Sequence, residues 1–155
     1  MDFELDKISE DLTDAVSESF ENLFFADIEN CVNIDSIQAD EDSLFVTVDT
    51  ITPFKGNVGL IIGKEMSEEI VMEMVGNDIE HISNEIINDA LSEIGNTIVG
   101  RFLSKIVSED QEFSLGFPEC KKWDPELNHF TSNDNCKLFD LEMDEKHVFC
   151  ILNKQ

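Results

Sequence analysis

Apolar residues recur along this chain in two rhythms, one near 3.6 residues and one near 2, and each change of rhythm marks a new element. From about Ile8 to Ala26, Leu12, Val16, Phe20, Leu23 and Phe24 share one helical stripe. The stretch "ENCVNIDSIQADEDSLFVTVDTITPFKGNVGLIIG" then reads as three strands, with "ADEDS" as the first turn and Pro53 and Gly56 punctuating the second. Leu44, Val46 and Val48 alternate, whereas "VGLIIG" is nearly continuous, as in a strand covered on both faces. "KEMSEEIVMEMVG" predicts a short helix ended by Gly76, with Met66, Ile70, Val71 and Met74 buried.

A long helix follows from about Ser83 to Val107, where Ser83 offers an N-cap without full capping-box spacing. "QEFSLGFPE" is a candidate strand ending at Pro118, and "CKKWDPELNHFTSNDN" has no period and reads as a loop. "CKLFDLEM" and "HVFCILN" alternate on either side of the acidic "DEK", which predicts a hairpin. Strands outnumber helices, and the order is helix, strands, two helices, strands. This is the pattern of an α+β domain, with helices packed on an antiparallel-rich sheet. No linker divides residues 1–155.

The long helix carries an asymmetry that packing alone does not require. At 100° per residue, Ala90, Leu91, Ile94, Ile98 and Phe102 form one broad apolar arc. Asp89, Glu93, Asn96 and Gly100 fall in a narrow sector nearly opposite. Two carboxylates and a carboxamide thus share one ridge, and the glycine keeps that ridge low. A solvated helix face would need nothing more specific, so spacing alone leaves the ridge open to both readings.

Charge narrows the partners. Ten basic residues against thirty-five acidic ones give a formal charge of −25, which excludes a nucleic-acid backbone or an anionic membrane surface. Proteins and cations remain. A hydrophobic fraction of 41% is that of a folded chain, so the charge does not imply disorder. The N-terminus "MDFELDKISEDL" is acidic where a signal peptide is basic, and no apolar run approaches a membrane span. The expectation is a cytoplasmic protein.

Scanning for chemistry yields no phosphate loop, HExxH, GxSxG or calcium loop. His81, His129 and His147 read as surface or loop residues. Cys31, Cys120, Cys136 and Cys150 are scattered without a CxxC and read as reduced thiols. A zinc site from Cys120, His129 and Cys136 would need a spacing that no familiar ligand pair uses. The acidic stretches 9–22 and 141–145 read as solvated faces.

Asp89-x3-Glu93-x2-Asn96, followed 22 positions later by Pro118, resembles the signature of the CheC/CheX/FliY family, phosphatases of the chemotaxis response regulator CheY. The preceding "FKGNVGLIIGKEMSEEIVMEMVG" is similar to that family's strand-then-helix unit, so the resemblance spans roughly residues 54–118. Two-site members repeat the signature on an earlier helix. Here Ser17 and Glu21 have the spacing, but Phe24 stands where asparagine is required. The resemblance is therefore closer to CheX-like members with one site, and it implies a CheC-like α/β sandwich with the signature helix exposed.

For the site, the resemblance implies that Glu93 and Asn96 are catalytic, with Asp89 and Gly100 contributing to partner binding. An aspartyl phosphate is already an activated acyl phosphate, so the remaining task is to place a water in line with the leaving carboxylate. An uncharged carboxamide suits this, because its oxygen accepts from water while its nitrogen donates to a phosphoryl oxygen. The family role of Glu93 is to pair with the regulator's lysine. No cofactor of the chain's own is expected, Mg²⁺ belonging to the response-regulator partner. The implied partners are a phosphorylated CheY-like regulator and a second copy, in a homodimer joined by sheet or hairpin edges. A non-catalytic module of the same fold, binding a signalling or flagellar-switch partner, is the alternative.

Overall fold

A computed structural model describes residues 3–24, 26–76 and 82–155. The chain opens with α1 (Leu5–Phe24) and continues through β1 (Asn30–Ile34), β2 (Leu44–Thr52), β3 (Gly56–Ile62), α2 (Lys64–Val75) and α3 (Asn84–Ile106). Short segments β4 (Ser114–Leu115) and β5 (Glu119–Lys122) precede the hairpin of β6 (Cys136–Met143) and β7 (Lys146–Lys154). The mixed helix and antiparallel-sheet architecture expected from the sequence is present.

The sheet order is β1-β6-β7-β3-β2, with β4 and β5 sharing the outer edge of β2, and every pairing is antiparallel. Asp144 and Glu145 form the two-residue turn between β6 and β7, both with positive φ, at 52° and 64°. A tight hairpin turn requires that conformation to match the strand twist.

The helices cover one face of the sheet. Leu12, Val16 and Phe20 of α1 meet Leu91, Ile94, Ile98 and Phe102 of α3 in a core floored by Val46, Val48, Val58, Leu60 and Leu152. The opposite face has its own smaller core. Phe45, Ile61, Leu138 and Ile151 lie there beneath Trp123 and Phe130. Trp123 meets Phe45 edge-on at 5.3 Å, and its ring stacks with Phe130 at 6.3 Å. β3 is buried along nearly its whole length because both layers close over it.

Several expectations shift. Helix α1 starts and ends earlier than its apolar stripe suggested, and Leu23 at its end is exposed. The strand expected from Gln111 to Pro118 shrinks to Ser114–Leu115: Gly116 still donates to the Asp49 carbonyl of β2, and Pro118, which has no N–H to donate, interrupts the ladder. The segment read as a loop begins with β5, whose polar "ECKK" hides a strand from any search for alternating apolar residues. Charged side chains of that kind blunt a sheet edge. The hairpin does not offer an open edge: β6 lies between β1 and β7, and β7 between β6 and β3. No helix of the described residues is long and apolar enough to cross a membrane.

Candidate functional site

Helix α3 is set rigidly before it presents anything. Ser83 caps it, its Oγ accepting from the Ile86 N–H at 3.2 Å. This satisfies one of the donors a helix N-terminus leaves open. Ala90, Leu91, Ile94, Ile98 and Phe102 are all buried, as their shared arc predicts. Gly95 is buried too, and a methyl group there would come within 2.7 Å of Val46 Cγ1 and 3.3 Å of Val48 Cγ2. The helix therefore rests directly on β2. A glycine inside an otherwise strong helical pattern costs about 1 kcal/mol relative to alanine, which signals a packing demand. The sequence reading did not use that signal.

Side contacts fix the helix laterally. Glu18 on α1 takes Lys105 at 2.8 Å and Arg101 at 3.6 Å. The Lys105 hydrogen bond, joined by the Arg101 charge, outweighs desolvation and holds the Glu18 carboxyl below the usual carboxylate range. On the other side, Cys120 Sγ of β5 donates to Asn88 Oδ1 at 3.5 Å. Burial pushes the Cys120 thiol up to about 11, and it raises the other three thiols as well, so each is held as a neutral thiol rather than a nucleophile or ready metal ligand.

The ridge on the far side of α3 is open. Asp89, Glu93 and Asn96 are all exposed, and no hydrogen bond or ion pair engages their side chains among the described residues. Gly100 continues the ridge, and a methyl group there would meet nothing within 4 Å. This glycine, unlike Gly95, answers no packing demand within its own chain. The Thr97 hydroxyl beside the ridge donates to the Glu93 carbonyl at 2.9 Å, closing on its own helix. A concavity of about 540 Å³ lies elsewhere, among Phe20, Met66, Ile70, Met143 and Lys146, and none of its lining residues belongs to α3.

The other sequence candidates come apart. Phe24 packs partly buried against the helix-covered core, its ring 5.6 Å from that of Phe20. The earlier helix thus carries a core residue where a second site would need a carboxamide. Cys120 faces the helix-covered core and Cys136 the opposite one, with His129 exposed, so the sheet separates the suggested zinc ligands. Among the described residues, no group of three or more His, Cys, Asp or Glu side chains is placed to hold a metal. His147 is exposed and pairs with Asp140 at 2.7 Å, whereas His81 lies outside the described residues. Pro118 sits half-buried between β4 and β5.

Comparison with known proteins puts this geometry in context. No curated protein sequence matches the chain. Several solved structures share the fold, three CheX proteins among them. A chemotaxis protein CheX from Desulfovibrio desulfuricans is 13% identical, with 94% of this chain and 97% of that one covered and a TM-score of 0.70. Chemotaxis protein CheX from Vibrio vulnificus is 11% identical, with 96% and 99% covered and a TM-score of 0.68. A CheX-CheY-BeF₃-Mg²⁺ complex from Borrelia burgdorferi contains a chain 16% identical, with 96% and 98% covered and a TM-score of 0.71. The family model described as "Chemotaxis phosphatase CheX" matches residues 44–129, which run from the start of β2 through the whole of α3 and past β5. That stretch is more than half of the chain and contains the ridge, and the chain belongs to the CheX family.

Proposed function

We propose that residues 1–155 act as one phosphatase domain that hydrolyses the aspartyl phosphate of a CheY-like response regulator. The observation that carries the reading is the free, convex ridge of Asp89, Glu93 and Asn96, lowered at Gly100, on a helix otherwise locked to sheet and neighbours. Membership of the CheX family supports it, as does the fold shared with a CheX found in complex with CheY. The partner brings its own acyl phosphate, with Mg²⁺ held on the regulator's side. Asn96 orients a water against the phosphorus, in line with the aspartyl oxygen. The new P–O bond forms as the bond to the aspartate breaks, releasing inorganic phosphate and a free carboxylate. Glu93 pairs with a lysine of the regulator, while Asp89 and Gly100 shape the docking face.

Phosphate release from a phosphorylated CheY-type regulator, measured with and without this protein, tests the activity. Binding without acceleration would leave the non-catalytic module instead. Glu93→Gln is predicted to weaken binding to the phosphorylated regulator and to lower activity at every ionic strength. Removing one partner of an interfacial charge pair leaves the other poorly satisfied. The chain's charge of −25 repels an acidic partner at long range, and that contribution shrinks with salt for variant and parent alike. Identical binding of the two proteins across the salt series would remove Glu93 from the mechanism.

A homodimer formed by sheet extension fits the outer edge of β1 better than the hairpin, whose edges are taken. β1 carries "NCVNI", without charge and with Val32 exposed. β5, at the other edge, is guarded by Lys121 and Lys122 and lies beside α3. Light scattering is predicted to give a dimer for the parent and a monomer for Val32→Lys. A parent that remains monomeric at high concentration would exclude the assembly.

A further inference from the structure

The concavity of about 540 Å³ opens between the end of α1, one side of α2 and the β6–β7 turn. Its floor is apolar. Phe20, Met66, Ile70 and Met143 belong to the helix-covered core, and Phe24 packs half-buried against it. Met72 also lines the groove and is 43% exposed. Three of the chain's five methionines thus share one groove. Their unbranched, polarisable side chains adapt to the shape of an incoming apolar group. The walls are tied to one another. Glu29 donates its N–H to the Glu142 carbonyl at 2.8 Å, holding the segment after α1 against β6. Lys146 of the hairpin reaches Glu69 of α2 at 2.6 Å and Glu65 at 3.8 Å.

The charge around this apolar floor has one sign. Asp27, Glu29, Glu69, Glu73 and Asp144 all line the groove and all are exposed. Lys146 is the only basic residue among the described lining, and Glu69 already holds it. Asp27, Glu29 and Glu73 have no ion-pair partner among the described residues. Like charges gathered at one mouth repel each other, and a basic occupant would relieve that repulsion. A second copy of the chain, at −25, would add to it. A small amine brings a single charge to five carboxylates, whereas small-molecule sites carry few polar groups. Apolar side chains flanked by several positive charges are what a protein segment supplies.

We infer that this groove docks a basic amphipathic segment of a partner protein. Its apolar side chains settle among Phe24, Met66 and Met72, while its lysines or arginines meet Asp27, Glu29 and Glu73. Burial of the apolar part holds the segment in place, and the rim selects its charge. The groove takes no residue from α3, so this docking is independent of the phosphatase activity proposed above.

The probe is a fluorescent peptide of leucine and lysine, patterned so that an α-helix carries the leucines on one face. The full chain is expected to bind it, less tightly as salt rises. Asp27→Lys/Glu73→Lys should raise the Kd about tenfold or more. Glu109→Lys/Asp110→Lys makes the same change in net charge outside the groove and should move it by no more than about twofold. Met72→Glu should weaken binding although it adds a negative charge. All five side chains are exposed, so melting temperatures should stay close to the parent's.

A parent that does not bind the peptide overturns the proposal. Equal weakening by the two double variants would show that net charge alone attracts the peptide, and would overturn it too. So would tighter binding by Met72→Glu, or equal binding of a peptide with serine in place of leucine, since either removes the apolar seat. Displacement of the peptide by phenethylamine at equal concentration would give the groove to a small amine instead. Self-association lost in Asp27→Lys/Glu73→Lys, with peptide binding unchanged, would give it to a second copy. Asn96→Ala should bind the peptide as the parent does, and a matching loss there would overturn the independence of groove and ridge.

Discussion

Asn96→Ala is expected to lower assisted dephosphorylation about a hundredfold, the scale for removing one group that positions a reactant or stabilises a transition state. The loss should appear in kcat, with binding of the activated regulator largely kept. Asn96 is exposed, and no intramolecular partner engages its side chain among the described residues. Thermal stability should therefore move by no more than about 0.5 kcal/mol. The combination is diagnostic, because a structural asparagine would show the reverse. A variant that unfolds readily yet keeps its specific activity would sink the water-positioning role. Asn96→Asp sharpens the comparison: it keeps the size of the side chain but brings a negative charge toward an anionic phosphoryl group, and it should recover little.

Alanine at Gly95 and at Gly100 should change stability in opposite directions, although the two positions share one helix. At Gly95 the new methyl group would stand 2.7 Å from Val46 Cγ1, which is part of the packed core under α3. The helix must lift from β2 or Val46 must rotate, and overpacking of this kind costs about 1–3 kcal/mol. Because the ridge rides on the same helix, activity should fall as well. At Gly100 the methyl group points into open space, so alanine should stabilise the helix by about 0.5–1 kcal/mol. On the proposed function, that gain comes with weaker regulator binding, because the ridge is no longer low. Thermal or denaturant melts paired with binding measurements on both variants check the prediction. Stabilisation by Gly95→Ala would show that the contact with β2 is not tight. Unchanged binding by Gly100→Ala would remove that glycine from the docking face.

Much of the architecture is legible in local pattern because burial leaves a periodic trace. The arc of Ala90, Leu91, Ile94, Ile98 and Phe102 predicted both the long helix and its buried side, and Ser83 marked its start. Alternation around Asp144 and Glu145 predicted the hairpin. The polar ridge was visible for the same reason: residues excluded from a well-defined apolar arc are themselves well defined. Its chemical meaning came from the resemblance of Asp89-x3-Glu93-x2-Asn96 to a known signature, since periodicity alone does not tell a docking face from a solvated one.

What escaped the sequence depends on contacts distant in the chain. β5 consists mainly of polar edge residues, so its pairing with β2 leaves no alternating trace. Trp123 and Phe130 fall in the segment that shows no period, and only its closing over Phe45 makes them part of a second core. The hairpin's place in the middle of the sheet is set by β1 and β3, which lie far from it in sequence. Local pattern by itself determined where elements lie and which side of each is apolar, because the alternation of side chains along a helix or strand is geometry of the backbone. Tertiary structure alone decided which strands are edges, and why packing requires Gly95, but not Gly100, to be small. Each of these is a relation between segments that meet only when the chain closes on itself.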